Sequence, residues 1–574
     1  MLKKIIPESL WFIFGFMVQD KAKLAIFLLL CIITSALNIA EPLLARQIVD
    51  NAFSIASERE LLLPAAIWLG IFVAKAGVQY GSQILNWQYR RDAFQRLRVF
   101  VFNDILKKPA QFFYDNPPAY LLSRLNNDIE CLDGLMLVNL LGRIWSGVEA
   151  LVILWLMGSI SVTLTAIAIL LKLAELYINL VFPLKKLYKD HNEALALLDK
   201  ETMDALACVK LVKAGNRIKE ETTRYRQKIN QYWQVRWARD AVNIIIDVGS
   251  RFAMDLSYPF IIIIGSLFIF YGWTTVGAVV AFLLYFQKLT PLFNKAAYMI
   301  PIFKLAQAAA ERIYEFACVR NESIAAAPKA IAVESIEFQH VKLSYGAKRV
   351  LDDFNMKLLP RRVNALVGLS GAGKSTVVSM LLGFVKPDAG QILINGINIE
   401  EYNIADIRSS IALVSQDNVL LQRTLQENIL YCCNIAKDLS KELDSALRLA
   451  DAQTVVGRLP LGLASMITEN GANLSGGEKQ RIYLARELLK KASVNIYDEA
   501  TSALDSLSEQ AVMNNLKRAK EQGIVLLITH KLTNVRDADS IYALDKGKII
   551  EYGTHNELMQ KRGFYYSLYL EQNK

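Results

Sequence analysis

The sequence predicts a bundle of six membrane-spanning α-helices followed by an α/β domain. Three observations lead to this fold class. Hydrophobic residues make up 53% of the 574 residues although 21% are charged, six long apolar stretches lie before residue 305, and short β-branched runs alternate with helical patterns after residue 331. A protein buried wholly in a membrane would not carry so much charge, and a soluble one would not be so apolar, so the composition indicates a membrane part joined to a soluble part.

The first prediction concerns the membrane spans. A helix needs about 20 apolar residues to cross a bilayer. The stretches of this length are Leu24–Ile48, Leu61–Leu85, Leu135–Met157, Ile160–Phe182, Leu256–Trp273 and Val276–Ile300. Gly158-Ser159 and Thr274-Thr275 are the only residues between two pairs of them. Joints this short predict hairpins that cross the membrane and return.

Basic residues predict how the bundle is oriented. Lysine and arginine are concentrated in the long connections after the second and fourth spans, while the tips on the other side carry almost none except Arg59. The positive-inside rule therefore places both termini in the cytoplasm, and bacterial-type inner membrane is the expected location. These basic loops also account for the net charge of +10 without a nucleic-acid partner.

Two shorter features complete the membrane part. The apolar run Leu10–Val18 lacks the cleavage site of a signal peptide, because Gln19-Asp20-Lys21 follows it directly. We expect a helix in the membrane interface, with Trp11 and the neighbouring phenylalanines facing lipid. The six cysteines show no metal-ligand spacing, so reduced thiols are expected.

The α/β domain follows a change in composition. Ala325-Ala326-Ala327-Pro328 is typical of a linker, and we predict a membrane domain at 1–315, a linker at 316–331 and the second domain at 332–574. Strands that alternate with helices predict a mainly parallel sheet. The predicted strands are Val363–Val367, Ile392–Ile394, Ile411–Val414, Val494–Tyr497 and Ile524–Ile528.

A phosphate-binding loop lies between a predicted strand and a predicted helix. Residues 368–375, GLSGAGKS, fit the pattern G-x-x-x-x-G-K-[ST], and Thr376 continues into the helix. The glycines let backbone N–H groups surround phosphate oxygens, Lys374 would neutralise the β- and γ-phosphates of ATP, and the Ser375 hydroxyl would bind Mg²⁺. The nucleotide-binding residues predicted in this loop are Gly368, Ser370, Gly371, Gly373, Lys374, Ser375 and Thr376.

Two further motifs belong with this loop. The strand Val494–Tyr497 ends in Asp498, which would hold Mg²⁺, and Glu499, which would lie beside the γ-phosphate. Residues 474–481, LSGGEKQR, place Ser475, Gly476 and Gly477 before a helix, where N–H groups and the helix dipole favour an anion. Because the first loop already fills its own site, this second anion-binding motif is expected to serve ATP on a partner subunit.

With these three motifs the second domain resembles the nucleotide-binding domain of ATP-binding cassette (ABC) proteins. The resemblance implies that Tyr345 stacks on adenine, that Gln416 approaches Mg²⁺, and that His530 contacts the γ-phosphate and organises the catalytic Glu499. It also implies that residues 502–505, SALD, form a loop at the dimer interface. The sequence departs from the family pattern at Glu478, where glutamine is common, and at Lys531, where arginine is usual.

The membrane part resembles that of ABC exporters, with looser motifs. Residues 111–130 and 210–226 look like the two intracellular loops, and the resemblance implies short helices near Asn116–Leu122 and Asn216–Thr222 that contact nucleotide-binding domains. It implies a half-transporter that uses ATP and Mg²⁺, pairs with a second copy or a related half-transporter, and moves a small molecule or peptide. Export of a charged or amphipathic compound is expected; import of a metal chelate on the same fold and ATP-gated conduction are the alternatives.

Charged residues inside the spans are the candidate substrate site, because an intramembrane charge costs about 3 kcal/mol on insertion scales. Lys75, Arg143 and Glu149 lie within the second and third spans. The predicted substrate residues are Lys172 and Glu175 of the fourth span, and Asp247, Arg251 and Asp255, which are four apart and therefore share one face of the fifth helix. Two interpretations remain: these charges pair with each other and stabilise the bundle, or they line a polar cavity for a charged solute.

Overall fold

The computed structural model describes residues 7–572 except 55–57, 182–183, 298, 323–328, 347, 416–418, 434–438, 501–508, 510–512, 514–515, 517 and 522. The chain forms two compact units. The first contains residues 1–102 and 122–317, and the second contains residues 103–121 and 318–574.

The first unit is α-helical. Its long helices occur where the apolar stretches predict spans, and two of them extend far beyond a bilayer: α3 has 49 residues and α11 has 53, about 75 and 80 Å at the rise of an α-helix. In chain order, the α-helices of residues 8–318 are α1 Glu8–Met17, α2 Lys21–Phe53, α3 Glu58–Leu106, α4 Ala110–Asp115, α5 Pro118–Ser123, α6 Ile129–Cys131, α7 Leu137–Ile160, α8 Val162–Val181, α9 Leu184–Ala207, α10 Val209–Ala214, α11 Ile218–Phe270, α12 Val276–Ala297 and α13 Met299–Cys318. Among these, the end of α3, all of α4 and most of α5 belong to the second unit.

Six helices correspond to the predicted spans. Among the described residues, four helical segments are long and apolar enough to cross a membrane, within α2, α3, α5–α7 and α11. The other two spans contain the shorter apolar segments Val162–Leu173 of α8 and Val276–Leu292 of α12. The predicted helical membrane domain is therefore confirmed.

One of the two predicted hairpin joints is wrong by two residues. Helix α7 continues through Gly158 and Ser159, and the chain turns at Ser161, whose backbone is extended and whose hydroxyl accepts the N–H of Leu164. Ser161 is therefore the N-cap of α8, a local interaction that is stronger than the tendency of glycine to end a helix. The other joint begins three residues earlier than predicted, because α11 ends at Phe270. It ends as predicted at Thr275, whose hydroxyl caps α12 by accepting the N–H of Ala278.

An acid on α2 also caps α12. The carboxylate of Asp50 accepts hydrogen bonds from the Thr275 hydroxyl at 3.0 Å and the Gly277 N–H at 2.9 Å. A Cβ at Gly277 would lie 2.4 Å from the carbonyl oxygen of Arg46. Glycine is therefore required for this close approach of α12 to α2.

The prediction for the N-terminal helix is only partly right. Helix α1 forms and Trp11 is exposed, but Phe12 and Phe16 pack against Phe100 of α3 with ring centroids 5.6 and 5.0 Å apart. These aromatic pairs bury apolar area within the bundle instead of exposing it to lipid. Hydrophobicity alone did not distinguish the two environments.

Only one of the two short loop helices lies where it was predicted. Helix α5, Pro118–Ser123, lies where the first was predicted. The second is wrong as placed: residues 218–222 begin the long α11, and the short helix is α10, Val209–Ala214. Asn216 adopts a left-handed backbone with φ 56°, and the N–H of Arg217 donates to the carbonyl of Val212. This helix-ending turn separates α10 from α11.

The second unit contains two sheets. Its strands are β1 Ile336–Tyr345, β2 Lys348–Leu358, β3 Val363–Gly368, β4 Ala389–Ile394, β5 Ile397–Asn398, β6 Ile411–Val414, β7 Val494–Asp498, β8 Ile524–Ile528, β9 Ser540–Asp545 and β10 Lys548–Gly553. Strands β9, β3, β8, β7 and β6 form a parallel array with β10 antiparallel at its edge. The antiparallel sheet β2-β1-β4-β5 was not predicted, and it contains the predicted strand Ile392–Ile394.

Helices cover the parallel sheet, whose strands are buried. Strand β8 is buried at every position, as expected where helices pack on both faces. After β3, the helices of this unit among the described residues include α14 Lys374–Leu381, α15 Ile404–Ser410, α16 Leu425–Leu430, α17 Leu439–Leu449, α18 Gln453–Arg458, α19 Gly476–Leu489, α20 His555–Lys561 and α21 Phe564–Gln572. The carboxyl ends of β3 and β7 meet at one edge, which is where the predicted nucleotide site begins.

Candidate nucleotide and solute sites

The phosphate-binding loop joins β3 to α14, as predicted. Gly371 and Gly373 have φ of 78° and 108°, a backbone conformation that favours glycine. A Cβ at Gly368 would lie 2.3 Å from the carbonyl oxygen of Leu544, so this position also requires glycine. The Lys374 ammonium donates to the carbonyls of Gly368 and Leu369 at 2.8 and 2.9 Å. The loop therefore holds its lysine curled over the space in which phosphates bind in such loops.

Acidic residues lie close to this lysine. Burial lowers the pKa of Lys374, and the carboxylates of Glu499 and Asp498 act in the opposite direction. An ammonium in this setting gains stability from an additional anion. The electrostatics thus fit a polyphosphate on the loop.

Asp498 and Glu499 end β7, and the second acid has a strained backbone. Glu499 has φ 52°, and its N–H donates to the Ile528 carbonyl of β8 at 2.8 Å. The His530 Nδ1 lies 3.5 Å from Glu499 Oε1. A left-handed conformation in a non-glycine residue costs free energy and is often found at active sites. The structure thus brings the predicted base and its predicted histidine together at the end of the sheet.

The second anion-binding motif begins α19. Ser475 is the N-cap: its hydroxyl accepts the Glu478 N–H at 3.3 Å, and the Glu478 carboxylate accepts the Ser475 N–H at 2.8 Å. Although burial raises the pKa of Glu478, these bonds and Arg458 hold it below its usual value. A glutamate at this position therefore completes a capping box. Cβ atoms at Gly476 and Gly477 would meet nothing within 4 Å, so this helix end is open to a ligand.

Of the remaining predicted nucleotide-site residues, Tyr345 lies in the part of the chain that the structure describes. Tyr345 is partly exposed at the end of β1; burial raises the pKa of its phenol, whereas a hydrogen bond with Thr376 lowers it. The aromatic ring thus lies next to the phosphate-loop helix. Gln416 and residues 502–505 lie outside the described residues.

The donor set fits Mg²⁺. A hydroxyl from Ser375 and a carboxylate from Asp498 are hard oxygen ligands, and a nucleotide's phosphates complete such sites in phosphate-loop proteins. Among the described residues, no group of three or more histidine, cysteine, aspartate or glutamate side chains could hold a metal by itself. Oxygen ligands shared with a nucleotide agree with that finding.

A buried lysine ties the end of α3 to the segment before β1, within the second unit. The Lys108 ammonium contacts Asp104 at 2.9 Å, the Val319 carbonyl at 2.7 Å and Asn321 Oδ1 at 2.7 Å. Its three N–H donors are thus all used. Asn321 Nδ2 in turn donates to Asp104 at 2.8 Å. We call these four residues the linker cluster.

The same segment reaches the helix of the phosphate-binding loop. The N–H of Glu322 donates to the Lys107 carbonyl, and its carboxylate accepts two bonds from Arg408 at 2.7 and 3.0 Å. Arg408 Nε also donates to the carbonyl of Leu382, at the end of α14. A continuous set of polar contacts therefore joins the end of α3 to α14.

The predicted substrate residues do not form one site. Lys172 is buried with its ammonium 5.4 Å from the centroid of the Phe286 ring. Asp247 and Arg251 form an exposed ion pair at 2.9 Å on α11, and Asp255 is also exposed. The side chain of Glu175 lies outside the described residues.

The structure instead brings together charges that the sequence prediction treated separately or missed. Lys75, Arg143 and Glu149, noted as intramembrane charges, line one cavity with Lys288 of α12. Glu41 of α2 contacts both Lys75 and Lys288. Glu41 and Lys288 were missed, although each lies inside a predicted apolar span and a count of charges in every span would have found them.

Comparisons with known proteins cover most of the chain. The family described as "ABC transporter transmembrane region" matches residues 24–291, and the family described as "ABC transporter" matches residues 351–502. An uncharacterized ABC transporter ATP-binding protein of Bacillus subtilis is 28% identical over 98% of this chain and 93% of its own length.

Other relatives have names that suggest activities. An ATP-dependent lipid A-core flippase of Desulfotalea psychrophila is 27% identical over 96% of both chains. A putative multidrug export ATP-binding/permease protein of Staphylococcus aureus is 28% identical over 93% of this chain and 94% of its own. The structure of a bacterial Atm1-family ABC exporter with ATP bound has a TM-score of 0.81 at 22% identity, covering 97% of this chain and 99% of that one. This last likeness shows the fold.

Proposed function

The chain belongs to the ABC transporter family as a half-transporter, and we propose that it exports a charged or amphipathic solute, such as a peptide, drug or lipid-like molecule. It is an integral membrane protein whose second unit binds ATP and hydrolyses it to drive transport. The observation that carries the proposal is the meeting of Lys374, Asp498, Glu499 and His530 at one end of a parallel sheet, in a chain whose described residues form an apolar helix at each of the six predicted spans.

Each residue of the nucleotide site has a proposed role. Lys374 neutralises the β- and γ-phosphates, and Glu499 acts as general base or positions the attacking water. His530 orients Glu499 and contacts the γ-phosphate, a role supported by its 3.5 Å distance from that carboxylate. Ser375 and Asp498 would hold Mg²⁺, which neutralises phosphate charge when bound. Tyr345 stacks on adenine, and Gln416 approaches Mg²⁺.

The functional form is a dimer, of two copies or with a related half-transporter. The exposed start of α19 supports this, because Gly476 and Gly477 leave the N-terminal end of that helix open to an anion. Helix α10, the short helix of the second intracellular loop, supports a dimer as well. Leu211 on it is 71% exposed and is available to contact the nucleotide-binding domain of a partner. Two ATP molecules would lie between two nucleotide-binding domains, and closing and opening of this sandwich would alternate access to the solute.

Location and direction follow from the membrane half. The basic loops support cytoplasmic termini in a bacterial inner membrane. The names of the relatives, a flippase and a putative multidrug exporter, support outward movement. Import of a metal chelate has no comparable support among these names.

Disulfide crosslinking tests the sandwich. We expect Ser370→Cys together with Ser475→Cys to crosslink between two chains, and more with ATP than without it. Crosslinking that stays within one chain, or ignores ATP, would contradict the composite site. Direction is tested with a solute added outside vesicles: ATP-dependent accumulation in inside-out vesicles supports export, and accumulation only in right-side-out vesicles loaded with ATP contradicts it.

A further inference from the structure

A polar cavity of about 690 Å³ lies in the first unit between α2, α3, α7 and α12. Its wall on α3 consists of Lys75, Gln79, Ser82, Gln83 and Asn86. Spacings of three and four residues place these side chains on one helix face, over about 16 Å of helix length. A polar face this long would be costly against lipid, so it is expected to face a water-filled or ligand-filled space.

The opposite walls hold an acid that is satisfied by neutral groups. Glu149 of α7 accepts hydrogen bonds from the Ser35 hydroxyl and from Asn38 Nδ2, both at 2.8 Å. Trp145 Nε1 donates to the same Ser35 hydroxyl at 2.8 Å. Arg143 lines the cavity from α7, and its Nη1 lies 3.5 Å from the Gly134 carbonyl. Glu149 therefore leaves the cationic side chains of the cavity to other partners.

Two lysines share one carboxylate at the other side of the cavity. Lys75 Nζ lies 3.3 Å from Glu41, and the Lys288 ammonium contacts the same Glu41 oxygen. Among the described residues, Glu41 is the one acid paired with either lysine, so the group of three carries one positive charge in excess. All three side chains are at most 21% exposed. An excess charge at membrane depth is expected to have a functional partner.

From these contacts we propose that the cavity binds an organic anion, whose carboxylate or phosphate group is held by Lys75 and Lys288 while amide and hydroxyl groups of α3 bind its remainder. The volume is that of a site for a small organic ligand. Two ammonium groups on one side and neutral donors on the other provide the charge-assisted hydrogen bonds that an anionic group requires. The inference rests on the proposed export function, for which this cavity is the loading site.

The anionic group can come from a water-soluble solute or from a lipid headgroup. The polar wall of α3 extends from Lys75 to Asn86, toward the C-terminal end of that helix. Entry from that side suits a soluble anion, and lateral entry suits a lipid. The two sources have the same recognition chemistry and are separated by the experiment.

Binding is measured with the full-length protein in phosphatidylcholine nanodiscs without ATP. The probes are dansyl-glutamate, which is anionic, dansyl-glycinamide, which is neutral, and dansylcadaverine, which is cationic. We expect dansyl-glutamate to bind most tightly. Repeating the titration with phosphatidylglycerol in the nanodiscs identifies the source: competition supports an anionic lipid headgroup, and unchanged binding supports a soluble anion.

Variants of the shared carboxylate give effects of opposite sign. Lys75→Gln and Lys288→Gln are each expected to weaken dansyl-glutamate binding by about tenfold or more, since each removes one charge-assisted contact. Glu41→Gln frees both lysines and is expected to tighten it. The matched control is Arg251→Gln, which removes an exposed charge of α11 outside the cavity and should leave binding unchanged. Lys75→Arg keeps the charge and tests whether any loss reflects charge rather than folding.

The result that overturns the inference is equal binding of the three probes, or lysine variants that bind dansyl-glutamate as the unaltered protein does. If Glu41→Gln weakens binding in step with the lysine variants, the three residues are a structural cluster and the proposal fails. Probe binding that ignores charge, together with ATP-driven transport, removes this inference and leaves the export proposal. Charge-selective binding without any ATP-dependent transport does the reverse.

Discussion

Replacing Lys108 with methionine tests the linker cluster. Methionine keeps the length and apolar volume of the side chain but removes its three N–H donors. The acceptor atoms of Asp104, Val319 and Asn321 then lose their hydrogen bonds from Lys108. Breaking a buried charge pair by removing one partner costs about 3–5 kcal/mol. Asp104 is slightly exposed and keeps a donor from Asn321, so we expect the lower end, about 3 kcal/mol. For a domain of this size that corresponds to a fall in Tm of roughly 6–12 °C.

The measurement is the midpoint of thermal unfolding in nanodiscs, together with the ATPase activity that survives a short heating step. A chain with two units need not unfold in one transition, so the two readouts are compared on the same sample. Lys107→Met is the matched control, because Lys107 is the exposed neighbour of Lys108 just after the end of α3. A Lys108→Met midpoint equal to that of the control would refute the assignment of this cluster as a stabilising contact.

Two other variants follow from the contacts. Burial raises the pKa of Glu487, and the charge of Lys490 acts in the opposite direction. The folded state therefore binds a proton at Glu487 more tightly than the unfolded chain does. The stability that this proton contributes is present at low pH and is lost as pH rises through the folded pKa. Glu487→Gln should therefore raise the thermal midpoint more at neutral pH than near pH 4.5, the usual value for a glutamate; an equal gain at both would contradict the reasoning. Because the Lys172 ammonium packs over Phe286, outside the cavity residues, Lys172→Met should keep dansyl-glutamate binding; a tenfold loss would return Lys172 to the substrate site.

Motifs that are contiguous in the chain were the most predictable part of the site. The strand, loop and helix around Lys374 and the acids after β7 are local patterns whose conformation follows from neighbouring residues. Glu499 beside His530 required the sheet as well, and that sheet follows from the buried strands β7 and β8. Tertiary packing added little that these patterns did not already imply.

The solute cavity was much less predictable, because it depends on how helices are rotated. Glu41, Lys75 and Lys288 lie on three helices, and a single sequence does not show which faces of those helices meet. The same reason explains why Asp247 and Arg251, correctly placed on one face of α11, form an exposed pair instead of lining the cavity. Helix existence follows from hydropathy; helix orientation follows from packing.

Local capping explains the smaller errors at helix ends. The turn at Ser161 and the break at Asn216 depend on one hydroxyl and one left-handed backbone conformation. Hydropathy gives no information about either. Boundaries that depend on caps can move by several residues without changing the apolar pattern.

The most direct test of the central claim measures transport and ATP turnover on the same vesicles. Inside-out vesicles containing the unaltered protein should accumulate a transported solute when ATP is added, and Glu499→Gln should bind ATP yet lower turnover by at least about a hundredfold, with accumulation lost in parallel. Lys531→Arg, next to His530, is a matched control that should retain both activities. Near-normal hydrolysis by Glu499→Gln, or accumulation that continues without hydrolysis, would contradict the account.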